Sequence, residues 1–314
     1  MIVAFVNPRS RANRKNPRLA GVLAAALGDA GRVVTPRSLE SLDEETRALA
    51  ANVPSVVAVH GGDGTLHKTL TSMVRAFGER ALPPIAILGG GTMNVVTGSL
   101  GIRVKAEPFL RALAARAREN RPLETLSRRC LRVGDAQYGF VFANGVLANF
   151  LGEYYAGSGH GGPWRALWLM TRLALSGLVR GPFARRVFRR FHGHVAFDGK
   201  RLDISDLMAV GASTVREVGL GFKLFPRADD DPDRFAVLAI HAGVLSLVRD
   251  LPAVRFGRGI APARARSDLG ATLDVEAETP EDSAYTIDGD LYRAAGPLRV
   301  SVGPALRIVD PRAR

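Results

Sequence analysis

The chain has 314 residues, 46% hydrophobic and 23% charged, a globular composition long enough for two domains and for a core without covalent staples. One cysteine, Cys130, cannot close an intramolecular disulfide, and no run reaches about 18 uninterrupted apolar residues, so a disulfide-stapled secreted scaffold and a spanning helix are both excluded. Forty-three Lys and Arg against 30 Asp and Glu leave a net charge of +13, which attracts polyanions: nucleic acid, nucleotide phosphates or an anionic membrane surface.

Ile2 to Val6 is a short β-branched run ending at Asn7-Pro8, and a start that is hydrophobic before it is basic predicts a strand rather than a secretory signal. Residues 17–30 have helical spacing and stop at Gly31, as at a C-cap. Arg32 to Thr35 predicts a strand and Leu42 to Ala51 a helix. Pro54 to Val59 is an apolar strand broken by Gly61-Gly62. Leu66 to Phe77 is helical again, Pro84 to Leu88 a buried strand, and Pro108 to Arg118 a helix. Continuous apolar strands between helices predict a parallel sheet covered on both faces, a three-layer α/β domain over residues 1–125.

From Leu126 the texture changes to short alternating segments: Cys130 to Val133, Tyr138 to Ala143, His194 to Phe197, Leu207 to Ala212, Phe235 to His241, Thr272 to Ala277 and Leu298 to Val302. Turn residues separate them, which predicts antiparallel β structure over 126–303, with a basic helical insert over 163–191. Residues 256–268 read as a flexible basic loop.

Chemistry concentrates in the first domain. His60-Gly61-Gly62-Asp63-Gly64-Thr65 follows a buried strand and precedes a helix, at the carboxyl end of a parallel sheet where ligands bind. Its glycines let several amides approach one anion, and the helix adds its positive end. Asp63 would repel phosphates unless it holds a metal ion or a reacting hydroxyl; the alternative is a plain turn with an Asp cap. A second loop, Gly89 to Asn94, ends the next strand, and the two could cradle one ligand between them. Asn7-Pro8 lies on the same sheet edge, and the cluster Arg9, Arg11, Arg14, Lys15 and Arg18 could reach a terminal phosphate.

NP at 7–8, GGDGT at 61–65, GGGTMN at 89–94 and IDGD at 287–290 resemble the diacylglycerol kinase-like lipid kinases, which include bacterial diacylglycerol and sphingoid kinases. Pro226-Arg227-Ala228 with its Asp-rich tail and Pro297 to Val302 look like that family's C-terminal domain. The resemblance implies a nucleotide-binding α/β domain followed by an antiparallel β-sandwich domain for the lipid, with the last strand, about residues 304–314, returning to the first domain. It implies ATP and Mg²⁺, with Gly61, Gly62, Asp63, Gly64, Thr65 and Thr92 at the nucleotide and Asn7, Gly91 and Asn94 beside them. Thr35 falls, by position only, where the family commonly has a nucleotide-contacting threonine. Asp63 would sit near Mg²⁺ or the acceptor hydroxyl, Asp290 would be the proton acceptor, and Asp231 and Asp233 are candidates for a structural magnesium.

Two departures bear on this. Where the family usually reads GTxND, Asn94 is followed by Val95, and the family's DGE is Asp288-Gly289-Asp290, which shortens the carboxylate's reach by roughly 1.5 Å; misplacement on that scale can cost about a hundredfold in rate. A weakened kinase scaffold binding anionic lipid or nucleic acid is thus one alternative, although no nucleic-acid module is recognisable. A NAD kinase-type phosphotransferase is another; it shares GGDGT but not the second loop.

Residues 164–194 carry seven arginines and no acid, with both tryptophans and with Trp164, Leu167, Trp168, Leu175, Leu178 and Val179 at helical spacing. That pattern suits peripheral contact with an anionic membrane surface, at the inner face for a cytoplasmic protein, or else a helix packed on the sandwich. His60, His67 and Cys130 have no metal-ligand spacing and read as structural.

Overall fold

The computed structural model describes residues 1–312 except 92–93, 103, 157–162, 179–180, 205 and 220, and omits the side chains of 163, 164, 166, 167, 170, 174, 177, 178, 244, 245 and 248. The first half of the chain forms β1 (Ile2–Val6), α1 (Arg11–Lys15), α2 (Leu19–Leu27), β2 (Gly31–Val34), α3 (Leu39–Ala51), β3 (Val56–His60), α4 (Asp63–Phe77), β4 (Ile85–Ile87), α5 (Val95–Ser99), α6 (Ala106–Arg118), β5 (Thr125–Val133), β6 (Gln137–Gly139) and β7 (Val141–Asn144). The second half forms α7 (Val146–Tyr155), α8 (Pro163–Leu178), α9 (Pro182–Val187), β8 (Gly193–Phe197), β9 (Lys200–Arg201), β10 (Ala209–Ser213), β11 (Phe235–Ile240), α10 (Val244–Arg255), β12 (Ala265–Gly270), β13 (Thr272–Ala277), β14 (Ala284–Ile287), β15 (Asp290–Arg293) and β16 (Leu298–Val309). Two compact units result: Met1–Cys130 with Ala136–Gly139 and Gly303–Arg314, and Leu131–Asp135 with Phe140–Val302. The boundary falls inside β5, five residues beyond the one predicted at 125/126, because the strand continues through the change in texture.

In the first unit β2, β1, β3 and β4 pair in that order, all parallel, with Ile2 opposite both Gly31 and Val56. Strands buried along their whole length need apolar cover on both faces, and the alternation of side chains supplies it. Ile2, Ala4, Val6, Val56 and Ala58 pack against Leu23 and Leu27 of α2 and Phe109, Leu110 and Leu113 of α6. Val3, Phe5, Val57 and Val59 project the opposite way, and α3 and α4 pack together, joined by the 2.6 Å Thr46–Ser72 hydroxyl pair. The C-terminal half of β16 adds a further parallel strand beside β4, with Ile308 opposite Ile85.

Local capping moves two helix starts. The helix expected from Leu42 begins at Leu39, because Ser38 and Ser41 form a reciprocal capping box, each hydroxyl accepting the other's amide. The helix expected from Leu66 begins at Asp63, so GGDGT is itself the first turn of α4.

The second unit is a β-sandwich. One sheet runs β12-β11-β10-β7-β14-β15, antiparallel throughout; the other contains β9, β8, β13, the N-terminal half of β16 and β5. Its core draws Phe142, Val210, Phe235 and Ile287 from the first sheet and Val195, Leu273, Val275 and Val300 from the second, with Phe191 among them. The outer face of the first sheet, with Met208, Ala236, Leu238 and Ile240, is covered by residues including Val146 of α7 and Leu247 of α10.

Three features of this unit depart from the sequence pattern. Residues 256–268 are not all loop: from Ala265 the chain enters β12, an edge strand pairing along the whole of β11. Its exposed Arg266, Ser267 and Asp268 carry the polar sequence that protects an edge. The helices α7 and α10 were not predicted, since short apolar runs do not separate helix from strand, and Pro252 stands inside α10. The basic insert breaks into α8 and α9 at Gly181-Pro182, with Pro182 in the first turn of α9 and the Ala184 amide bonded to Ser176 Oγ. Among the described residues no helix is long and apolar enough to cross a membrane.

Ile308 is fully buried at the end of the last strand. Ile308→Ala is expected to cost about 2–5 kcal/mol, seen in urea unfolding as a lower midpoint at unchanged slope.

Candidate functional site

The carboxyl ends of β1, β3 and β4 meet at one edge of the first unit's sheet. Asn7 donates its backbone amide to the His60 carbonyl (3.0 Å) and its Nδ2 to Thr65 Oγ1 (2.8 Å), so the first strand grips the first turn of α4. The Gly90 amide donates to the Gly61 carbonyl (2.7 Å), and the Gly91 amide to Asn94 Oδ1 (2.9 Å). A Cβ on Gly91 would overlap the Cα of Gly62, and one on Gly61 would overlap the Thr65 side chain. The two glycine loops therefore pack backbone to backbone. The expectation of a ligand held between them is corrected at Gly62 and Gly91: there is no space there, and an anion would lie across their outer rim, over the amides and positive end of α4.

Asp63 joins the loops. Its Oδ2 accepts the Val95 amide (3.0 Å) and its Oδ1 the Val96 amide (3.1 Å), capping α5 from across the gap between chain segments. Burial pushes the carboxyl above the usual carboxylate range, while the amides of Val95 and Val96 work against that rise. The carboxylate is thus engaged in holding the second loop to the first. Val95 takes part through its amide, which any residue but proline would supply, so its departure from the family pattern leaves this contact intact. Asn94 has the left-handed backbone (φ 48°, ψ 50°) that asparagine tolerates better than most residues.

Beneath the loops His60 is buried, with Nδ1 3.3 Å from Asn13 Nδ2, which also reaches the Asn7 carbonyl (2.7 Å) and Ser10 Oγ (2.9 Å). This network fixes α1, whose Ala12 amide meets the Gly90 carbonyl (3.3 Å). Arg9, Arg14, Lys15 and Arg18 are exposed around it. Gly64 lies in the first turn of α4. Thr35 lies exposed one residue beyond β2 and takes no part in these contacts, and Thr92 lies outside the described residues.

In the second unit the IDGD motif forms the hairpin of β14 and β15. Asp288 and Gly289 both have positive φ (49° and 88°), as a tight primed turn requires. The two aspartates differ in environment. Asp288 accepts the amides of Phe140 (3.0 and 3.1 Å) and Val141 (2.8 Å), anchoring the turn to the neighbouring strand. Asp290 stands half-buried among tyrosines. Tyr155 donates its hydroxyl to the Gly289 carbonyl (3.0 Å), Tyr154 meets Tyr155 edge-on at 5.1 Å, and Tyr292 stacks on Tyr285 at 5.6 Å. Burial, then the negative charge of Asp290, raises both the Tyr155 and the Tyr292 phenols, so they stay protonated beside it. Sequence patterning missed these tyrosines. The available signals were Tyr154-Tyr155 ending an unpredicted helix and Tyr292 two residues after Asp290, on the same strand face.

Asp231 and Asp233, the candidates for a structural magnesium, lie in a turn before β11. Asp231 accepts the Asp233 amide (2.8 Å) and lies 3.8 Å from Arg234, while Asp229 and Asp230 pair with Arg216 and Arg227 (2.7 and 3.1 Å). Arginines neutralise much of this run, and among the described residues no three His, Cys, Asp or Glu side chains converge as a metal site. The loop does not form a cage.

The chain thus joins a parallel α/β unit, with two glycine loops at the carboxyl edge of its sheet, to a β-sandwich that carries an aspartate hairpin. Residues 1–126 match the family model of the diacylglycerol kinase catalytic domain. The fold of the whole chain is similar to a diacylglycerol kinase from Bacillus anthracis str. Sterne (12% identity, TM-score 0.65) and to two chains from the same organism provisionally described as diacylglycerol kinases (13% and 14%, TM-scores 0.72 and 0.67). Each comparison covers 100% of this chain and 98% of the other. No curated protein matches the chain.

Burial holds the His60 imidazole below its usual pKa. The native state therefore binds fewer protons than the unfolded state below about pH 6.5, so stability present above that pH is lost as pH falls toward the depressed value. The midpoint of thermal unfolding should fall between pH 7 and 5.5, and His60→Gln should flatten that slope.

Proposed function

We propose that the protein is an ATP- and Mg²⁺-dependent kinase that phosphorylates a lipid hydroxyl, with diacylglycerol the simplest acceptor. What carries this reading is the pair of interlocked glycine loops over the positive end of α4, inside the segment matched by the diacylglycerol kinase catalytic domain. The loops fit a polyphosphate, because glycine removes the Cβ atoms that would hold it away and the first turn of a 15-residue helix leaves amides to meet it. Mg²⁺, when bound, neutralises charge on the transferring group.

Phosphoryl transfer asks little covalent work of the protein. The acceptor oxygen bonds to the γ-phosphorus, the bond to the β,γ-bridging oxygen breaks, and the hydroxyl proton passes to Asp290. Asp288 and Tyr155 fix the turn from which Asp290 projects. Asp63 is a positioning residue that keeps the second loop seated on the first.

Labelled ATP offered with a panel of lipids, with dinucleotides and with no acceptor should put label in the lipid fraction; label on a dinucleotide, or on nothing but water, would overturn the assignment. Asp290→Asn should lower kcat by about a hundredfold or more with the ATP KM little changed, whereas Asp290→Glu retains activity.

The same reading includes peripheral contact with an anionic membrane through α8 and α9. Trp168 and Leu175 are 59% and 61% exposed, and Arg172 lies over the rings of both Trp168 (5.4 Å) and Phe183 (4.5 Å). Aromatic and cationic groups side by side suit a headgroup layer. Val179 and the side chains of Trp164, Leu167 and Leu178 lie outside the described residues. Sedimentation with anionic vesicles should weaken as salt is raised, and Trp168→Ala should weaken it at every salt concentration.

A further inference from the structure

A cavity of about 510 Å³ opens in the second unit, within the size range of small-molecule sites. It is walled by Arg132, Gly134 and Asp135 at the end of β5, by Tyr285 of β14, and by the connection from Arg293 to Arg299. Arg293 lies three residues beyond Asp290 along β15, about 10 Å at the rise of a strand, and on the opposite strand face. The cavity is thus distinct from the aspartate hairpin's turn.

We propose that this cavity binds a phosphate-bearing anion, either free or as the headgroup of a lipid. Two of its three arginines carry charge that no carboxylate cancels. Arg132 Nη2 donates to the Asp135 backbone carbonyl (3.1 Å) and Arg293 Nη1 to the Pro280 carbonyl (3.1 Å). These bonds orient each guanidinium and leave its remaining donors available, and among the described residues neither arginine is ion-paired. Arg299 is different: Asp274 holds it at 2.6 and 3.2 Å, so it contributes shape rather than net charge. Asp135 is the one acid in the wall.

Tyr285 gives an independent observation. It is only 7% exposed, its ring lies against Phe142 and Tyr292 in the sandwich core, and the residue still lines the cavity. Burial raises the phenol's pKa, which keeps it a donor. Two guanidinium forks, a phenol and the Ser301 hydroxyl form a donor set suited to a tetrahedral oxyanion. Pro297 and Leu298 give the same wall an apolar side for whatever the phosphate is esterified to. None of this depends on the kinase reading.

The test is calorimetric titration of the full chain with inorganic phosphate, glycerol 3-phosphate and dihexanoyl phosphatidic acid, repeated on three variants. Arg132→Gln with Arg293→Gln should weaken binding by about tenfold or more, and the nearly isosteric Tyr285→Phe by a smaller factor, with unfolding temperatures showing both variants folded. Asn7→Ala, at the glycine loops, should leave this binding unchanged. Similar affinity for all three ligands assigns the site to the phosphate itself, and a marked preference for phosphatidic acid assigns it to a lipid headgroup; either supports the proposal. Binding that survives the double arginine variant, or that disappears with Asn7→Ala, places the anion elsewhere and overturns it.

Discussion

The candidate site depends on one half-buried carboxylate. Asp63 reaches from the first turn of α4 to the amides of Val95 and Val96, and no backbone ladder joins those two segments at that point. Burying a carboxylate is costly, which is why its pKa is raised, and two amide donors at a helix start are among the groups best able to offset that cost. The loops then approach so closely that Gly91 leaves no room for a Cβ and Gly62 leaves little. The close contact of the loops by itself accounts for glycine at position 91.

The second unit repeats this division of labour with two aspartates in three residues. Asp288 spends its oxygens on the amides of Phe140 and Val141 and holds the turn in place. Asp290 stands among protonated phenols that cannot compete with it as anions. Identical side chains two positions apart thus meet different surroundings, one bonded to backbone amides and the other set among phenols. The helix α7 ties this hairpin to the basic insert: Tyr155 bonds the turn at Gly289, Tyr154 lies under Arg165 of α8, and Glu153 pairs with Arg186 of α9.

Much of the fold was legible in local pattern. Continuous apolar strands between helices identify the parallel sheet of the first unit, because a sheet covered on both faces leaves no polar register. Alternating segments with turn residues identify the sandwich. The returning last strand was expected from the family resemblance, not from pattern. Less legible were elements whose identity depends on what they pack against. The strand β12 reads as basic loop because an edge strand needs polar residues. The helices α7 and α10 read as short apolar runs because their burial comes from the sheet face they cover.

By itself the sequence determined which residues are chemically equipped: the glycine loops, the aspartates and the arginine-rich insert follow from residue type and spacing along the chain. Tertiary structure alone decided what each is occupied with. It turned Asp63 toward backbone amides, paired much of the acidic run at 229–231 with arginines, surrounded Asp290 with tyrosines and assembled Arg132, Tyr285 and Arg293 around one cavity. Those outcomes turn on desolvation and on contacts set by the folded chain, from the 32 positions between Asp63 and Val95 to the 134 between Tyr155 and Gly289, and neither quantity is encoded in local periodicity.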